Sequence, residues 1–132
     1  MKRELKILIV DDNPDSVEIL EEIIAEKYVY RVAMYGEQAV RIAKKFVPDI
    51  ILLDIMLPDI NGLWVCKAIR KNPNLRHCKI ILQSAKTDLI DRIEGLQSGA
   101  DDYLCKPYES EEILELIERE WTNDLYSELP NK

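Results

Sequence analysis

The chain has 132 residues, 47% of them hydrophobic and 33% charged, with 25 acids against 18 bases and a formal net charge of −7. That is the length of one domain with enough apolar residues for a core, and the acidic balance excludes broad nucleic-acid binding, which needs a basic face to neutralise phosphates. Four glycines (Gly36, Gly62, Gly95, Gly99), one histidine (His77) and three scattered cysteines (Cys66, Cys78, Cys105) exclude a glycine-rich phosphate cradle, any two-histidine site, a zinc knuckle and a disulfide framework, and such cysteines fit a reducing cytosol.

The opening Met1-Lys2-Arg3-Glu4 leads into a first apolar run, Lys6–Val10, that is too short for a signal peptide, and no later stretch could span a membrane. Asn13 caps and Pro14 starts a helix running to about Glu26, with Val17, Leu20, Ile23 and Ile24 as its apolar stripe and Glu18, Glu21 and Glu22 on other faces. A second strand, Tyr30–Ala33, precedes a helix over Gly36–Phe46 with Ala39, Val40 and Ala43 inward. A third strand, Ile50–Leu53, precedes a helix over Leu63–Lys71 with Val65, Cys66 and Ile69 inward. After a fourth strand, Ile80–Leu82, Thr87 caps a helix that carries Leu89, Ile90, Ile93 and Leu96 and stops near Gly99. The last strand is Tyr103–Cys105. The fifth helix starts at Ser110, has Glu111 and Glu112 in its first turn where the dipole favours acids, and runs through Ile113, Leu114, Leu116 and Ile117 towards Trp121. Residues 7–10 and 50–53 are apolar at successive positions, which means burial on both faces, as in a parallel sheet covered by helices on each side. The predicted architecture is an α/β (βα)5 unit, a doubly wound five-stranded parallel sheet in the order 2-1-3-4-5, occupying residues 1–121. Residues 122–132 are polar with a late proline and read as a frayed tail or the start of a linker.

Open α/β sheets bind ligands at the carboxyl ends of their strands, so the residues that end each strand carry the functional signal. Strand 1 ends in Asp11-Asp12, strand 3 in Asp54, strand 4 in Gln83-Ser84 and strand 5 in Lys106-Pro107, whereas strand 2 ends in the uncharged Met34-Tyr35. In the order 2-1-3-4-5, strands 1, 3, 4 and 5 are neighbours, which gathers three carboxylates, a hydroxyl and an ammonium on one edge. Two carboxylates about 4 Å apart repel by roughly 4 kcal/mol at an effective dielectric near 20, so three together call for a cation, and an all-oxygen set suits Mg²⁺. A carboxylate flanked by a divalent cation, a lysine and a hydroxyl is placed to accept a phosphoryl group, becoming an acyl phosphate while the cations neutralise the equatorial oxygens.

At these residues the chain resembles the receiver domain of two-component response regulators, over about Leu5 to Trp121. The matching pieces are Ile-Leu-Ile-Val-Asp-Asp-Asn (7–13), Pro-Asp-Ile-Ile-Leu-Leu-Asp-Ile-Met-Leu-Pro-Asp-Ile-Asn-Gly (48–62), Ile-Ile-Leu-Gln-Ser-Ala (80–85) and Gly-Ala-Asp-Asp-Tyr-Leu-Cys-Lys-Pro-Tyr (99–108). The resemblance implies a flavodoxin-like fold and phosphorylation by a partner histidine kinase or phosphotransfer protein. It makes Asp54 the phosphoacceptor, with Mg²⁺ held directly by Asp12, mostly through water by Asp11, and by Asp54 and the Met56 backbone carbonyl. Ser84 matches the switch hydroxyl, Ala85 contributes its backbone to the phosphate site, and Tyr103 matches the switch aromatic. Lys106 pairs with the phosphate, and the Lys106–Pro107 bond is cis. Many relatives have threonine where Ser84 stands, and Met56 and Lys86 occupy positions that tune acyl-phosphate lifetime. The output implied is a change in the face made by helix 4, strand 5 and helix 5, which meets a downstream protein target or a dimer mate.

Simpler roles stand beside these. Asp11 or Asp12 alone reads as a helix cap, Ser84 alone as a turn residue, Tyr103 as a half-buried aromatic and Asn61-Gly62 as a turn. His77, in the polar loop from Asn72 to Lys79, reads as solvated, the cysteines as packing residues and Trp121 as core; Trp64 reads equally as core cover or partner contact. Two other functions are open to this strand-end pattern. A phosphohydrolase of the haloacid dehalogenase type needs an acid two residues after its nucleophile, where this chain has Met56, and a phosphorylation-independent scaffold has no need of the complete acid–serine–lysine set. Residues 1–100 hold 15 acids and 15 bases, and residues 101–132 hold 10 acids and 3 bases, so the whole excess falls on strand 5, helix 5 and the tail. A partner is therefore expected to meet that edge with basic residues in a salt-sensitive contact.

Overall fold

The computed structural model describes residues 4–85 and 89–127, with side chains described over 4–85 and 93–121. In chain order the elements are β1 (Lys6–Val10), α1 (Pro14–Ile24), β2 (Val29–Ala33), α2 (Gly36–Phe46), β3 (Ile50–Asp54), α3 (Gly62–Lys71), a single 3₁₀ turn (Pro73–Leu75), β4 (Lys79–Ser84), α4 (Leu89–Gln97), β5 (Asp102–Cys105) and α5 (Ser110–Ser127). The strands form one parallel sheet in the order β2-β1-β3-β4-β5.

Alternation along the strands builds two cores, one on each face. Leu8, Val10, Ile51, Leu53, Ile80, Leu82 and Tyr103 point to the face covered by α2 and α3, meeting Ala39, Ala43, Val65, Cys66 and Ile69. Ile7, Ile9, Ile50, Leu52, Ile81 and Leu104 point to the other face, meeting Val17, Leu20 and Ile24 of α1 and Ile113, Leu116 and Ile117 of α5. Both runs of successive apolar residues are thus explained by burial on both sides. Cys66 and Cys78 are core residues, and the Cys78 Sγ donates to the Pro48 carbonyl at 2.8 Å. Burial pushes its thiol up to about 12, as for an inert packing residue.

The loops are held by specific polar contacts. Arg70 donates from Nε to the Gly99 carbonyl at 2.7 Å, from one terminal nitrogen to the Cys78 carbonyl at 2.6 Å and from the other to Asp101 at 2.6 Å. One guanidinium fork on α3 therefore fixes the connections entering both β4 and β5. Tyr35, at the cap position of α2, offers that helix no side-chain cap; Asp59 supplies it from the β3–α3 loop, accepting the Gly36 N–H at 2.8 Å and the Glu37 N–H at 3.1 Å.

Several expectations change. α1 ends at Ile24 rather than Glu26, β4 extends to Ser84, and α5 continues past Trp121 to Ser127. The polar loop from Asn72 contains a core residue, Leu75, which is buried beneath its 3₁₀ turn, while His77 is exposed. On α4, the apolar Ile93 and Leu96 are 44% and 48% exposed. The inward position is Gly95, where an added Cβ would come within 2.6 Å of Leu82 Cδ1. A residue two positions away is turned by about 200° around a helix, so Ile93 faces out. Thr87, the expected cap of α4, Lys86 and residues 128–132 lie outside the described residues, as do the side chains of Leu89 and Ile90. Trp121 is half-buried against the α1/α5 core, and Trp64 is exposed.

Charge is also segregated in a way the segment totals hide. α1 carries Asp15, Glu18, Glu21 and Glu22 with no base, and its neighbour α5 carries six acids and Arg119. Across the sheet, α2 and α3 carry Arg41, Lys44, Lys45, Lys67, Arg70 and Lys71 against Glu37 alone. Within residues 1–100 the acidic α1 and the basic α2 and α3 offset one another.

Candidate functional site

The parallel register brings the strand ends into one plane. Asp54 is the last residue of β3 and pairs with Gln83 of β4; Ser84 ends β4 and pairs with Cys105, one residue before Lys106. Asp11 follows β1 directly, its N–H donating to the Ala33 carbonyl at 3.0 Å. Asp11, Asp54 and Ser84 are all buried.

The Lys106 ammonium sits between two of the carboxylates, 2.8 Å from Asp11 Oδ2 and 2.8 Å from Asp54 Oδ2. Each carboxylate has its second oxygen fixed by the chain: Asp11 Oδ1 accepts the Asn13 N–H at 3.0 Å, and Asp54 Oδ1 accepts the Met56 N–H at 2.8 Å. Asn13 in turn caps α1, accepting the N–H groups of Asp15 and Ser16. Burial alone would lower the Lys106 pKa, but the hydrogen bonds and charges of Asp11 and Asp54 outweigh it and raise it, so the ammonium stays charged. The Lys106 N–H donates to the Ser84 carbonyl at 2.9 Å, and the Lys106–Pro107 peptide is cis.

The remaining candidates take different places. Asp12 is exposed at the mouth, and the Met56 side chain points to solvent while its N–H orients Asp54. Tyr103 is buried on the α2/α3 face, and Ala85 is exposed. The expectation of three crowded carboxylates needs amendment. Two of them, Asp11 and Asp54, meet at the Lys106 ammonium, while Asp12 is exposed. Among the described residues no three His, Cys, Asp or Glu side chains form a ready-made metal cage. The donors that converge here are nevertheless all hard oxygens next to a solvent-facing carboxylate, a set that fits Mg²⁺.

Two participants, Gly62 and Tyr108, were not evident from spacing, and the partner of the strand-end Gln83 was not either. Gly62 lies buried under the site, where an added Cβ would stand 2.4 Å from the Asp54 carbonyl oxygen and 2.7 Å from the Ile55 Cα. The requirement for glycine there is close approach of α3 to the strand end rather than a turn. Gln83 and Tyr108 form a pair, with the Tyr108 hydroxyl donating to Gln83 Oε1 at 2.7 Å. The sequence marks Gln83 as polar in an apolar strand, but its partner is identified only by the fold. Tyr108 and Lys106 also line an open groove of about 380 Å³ with Ser16, Ile19, Ala85 and Pro107.

Comparison with known proteins gives a consistent result. The family model for the response regulator receiver domain matches residues 7–118. The response regulator PleD of Caulobacter vibrioides is 44% identical over 103 residues, covering 77% of this chain and 23% of PleD. The DNA-binding response regulator MtrA of Mycolicibacterium smegmatis is 39% identical over 110 residues, covering 83% of this chain and 47% of MtrA. The chain thus spans less than half the length of these relatives. Among solved structures, the receiver domain of a sensor histidine kinase from Pseudomonas aeruginosa PAO1, with a magnesium ion coordinated in its active site cleft, is 34% identical with a TM-score of 0.82, covering 89% of this chain and 97% of that one.

Proposed function

This chain belongs to the response regulator receiver domain family, and from that premise we propose that it is a phosphoryl-switched signalling module whose phosphoacceptor is Asp54. The supporting observation is the Lys106 ammonium held at 2.8 Å from both Asp11 and Asp54 at the end of the sheet.

The donor is a phosphohistidine on a histidine kinase or phosphotransfer protein. An Asp54 carboxylate oxygen attacks phosphorus, an O–P bond forms and the P–N bond breaks. The electron pair goes to the imidazole nitrogen, which takes a proton from solvent. Lys106 shifts from the carboxylate to the incoming phosphoryl oxygens, and Ser84 and the Ala85 backbone supply neutral donors. Asp12, Asp11, Asp54 and the Met56 carbonyl are the groups that would hold Mg²⁺. When bound, the ion neutralises negative charge on the phosphoryl oxygens. Family membership and a magnesium-bearing relative support this assignment.

Phosphate binding one state better than another shifts a population. The state change runs through Ser84 and Tyr103 to the face formed by α4, β5 and α5, where β5 is an edge strand, Ile93 and Leu96 are exposed and α5 is acidic. That face then selects a downstream protein or a dimer mate. The receiver unit comprises the sheet and helices α1–α5, with α5 continuing past Trp121 to Ser127. No helix among the described residues is long and apolar enough to cross a membrane, and a cytoplasmic location follows from the proposed partners.

The test is incubation with Mg²⁺ and acetyl phosphate, or with beryllofluoride. The expected result is a gain of one phosphoryl mass, or a spectral change with beryllofluoride, that Asp54→Asn abolishes. A wild-type protein that shows neither overturns the assignment.

A further inference from the structure

Lys106 is bracketed by two hydrogen bonds to successive residues of β4. On its N-terminal side its own N–H donates to the Ser84 carbonyl at 2.9 Å. Two residues on, the Tyr108 hydroxyl donates to Gln83 Oε1 at 2.7 Å. Pro107, between them, has no N–H to offer. Gln83 is buried, and its own carbonyl accepts the N–H of Ile55, the residue after Asp54, at 3.1 Å. One glutamine therefore joins the strand end that carries Asp54 to the loop that carries Lys106.

We propose that the Tyr108–Gln83 hydrogen bond is a latch that positions Lys106 against Asp54, with Tyr108 and Gln83 acting as positioning residues for phosphoryl transfer. The role in transfer rests on the function proposed above. The contact itself does not. A buried amide oxygen on a strand needs a donor, and the loop provides it from a rigid aromatic side chain. Burial pushes the Tyr108 hydroxyl up to about 12, so it keeps its proton and remains the donor throughout the neutral range. Losing that bond removes the hydrogen bond that ties the segment after Lys106 to β4. The ammonium must meet two carboxylates at 2.8 Å, and small displacements of a positioned group carry large rate penalties.

The test compares wild type, Tyr108→Phe, Gln83→Met and the double variant. Tyr30→Phe is the control, because it removes another tyrosine hydrogen bond, to Glu21 at 2.8 Å, away from the site. Two quantities are read: the rate of Asp54 phosphorylation by acetyl phosphate with Mg²⁺, and the nitrogen NMR signal of the Lys106 ammonium, assigned by its loss in Lys106→Met. Each single variant is expected to slow phosphorylation about tenfold and to shift or broaden the Lys106 signal. The double variant should be no more than about twofold slower than either single one, since both remove one contact. Tyr30→Phe should leave both readouts unchanged. An unchanged rate or an unchanged Lys106 signal in the single variants overturns the latch, as does full additivity. If one variant does not fold, the other decides. If wild type takes no phosphoryl group, the functional assignment fails and the Lys106 signal alone decides whether the latch exists.

Discussion

Lys106 Nζ stands 2.8 Å from Asp54 Oδ2 and completes a three-membered ionic group with the buried Asp11. Removing the lysine leaves two buried carboxylates without the cation between them. Breaking a buried ion pair from one side costs about 3–5 kcal/mol, and Lys106→Met is expected to fall in the lower part of that range because the lysine is partly exposed. Asp54→Asn should cost less, since Asp11 keeps the ammonium. The double variant Lys106→Met/Asp54→Asn should be more stable than Lys106→Met alone, since one buried carboxylate remains instead of two. Urea midpoints measure all three. Added Mg²⁺ should raise the midpoint of Lys106→Met more than that of wild type, because no ammonium competes for the carboxylates. Equal stability of Lys106→Met and wild type without metal would contradict the ionic account.

Gly62 packs the start of α3 against the backbone that carries the phosphoacceptor. A methyl group there meets the Asp54 carbonyl oxygen and the Ile55 Cα, both main-chain atoms that cannot swing aside. Alanine ordinarily favours a helix over glycine by about 1 kcal/mol. Gly62→Ala is expected to reverse that sign, destabilising by about 1–3 kcal/mol through overpacking. It should also slow phosphorylation of Asp54 more than its stability loss explains, because the strain falls on the residue that reacts. Chemical denaturation and acetyl-phosphate labelling of the same sample check both.

Asp59 makes the N-terminus of α2 depend on pH. The Gly36 N–H holds its carboxyl below the usual carboxylate value, against the opposing effect of burial, and the Glu37 N–H adds to the lowering. A carboxylate depressed in the folded state stabilises fully above its unfolded value, about 3.9, and that contribution is lost as pH falls through the folded value. Asp59→Asn should therefore be less stable than wild type at neutral pH. The gap should close as the solution is acidified below about pH 4. A gap that stays constant across that range would remove Asp59 as the cap.

Much of this was legible in the sequence because burial on two sides writes an uninterrupted apolar run, and the polar residues that end such runs must share an edge. Asp11, Asp54, Ser84 and Lys106 could be placed from that rule alone. Contacts between elements distant in sequence left a weaker mark. The Asp59 cap crosses from the β3–α3 loop to α2, and the Arg70 clamp spans from α3 to the loops before β4 and β5. Neither residue type is unusual where it stands. The Gln83–Tyr108 pair joins positions 25 apart, and only the strand register brings them together. α4 left little mark for a different reason: close approach at Gly95 sets its inward face, and a glycine contributes nothing to a hydrophobic pattern.

The outward placement of Ile93 and Leu96 on α4 has a direct test. If Ile93 and Leu96 were core residues, replacing either with serine would cost several kcal/mol. Because they stand 44% and 48% exposed, Ile93→Ser and Leu96→Ser should each change stability by no more than about 0.5–1 kcal/mol. Leu82→Ala, at a fully buried residue facing the same helix, should cost about 2–5 kcal/mol. The serine variants should also accept phosphoryl groups at the wild-type rate, since neither side chain reaches Asp54. Their effect should appear instead at the output face. If α4 and the acidic α5 meet a dimer mate, beryllofluoride should promote association of wild type in sedimentation, and the serine variants should weaken it. Large stability losses in either serine variant would overturn the exposed placement of Ile93 and Leu96.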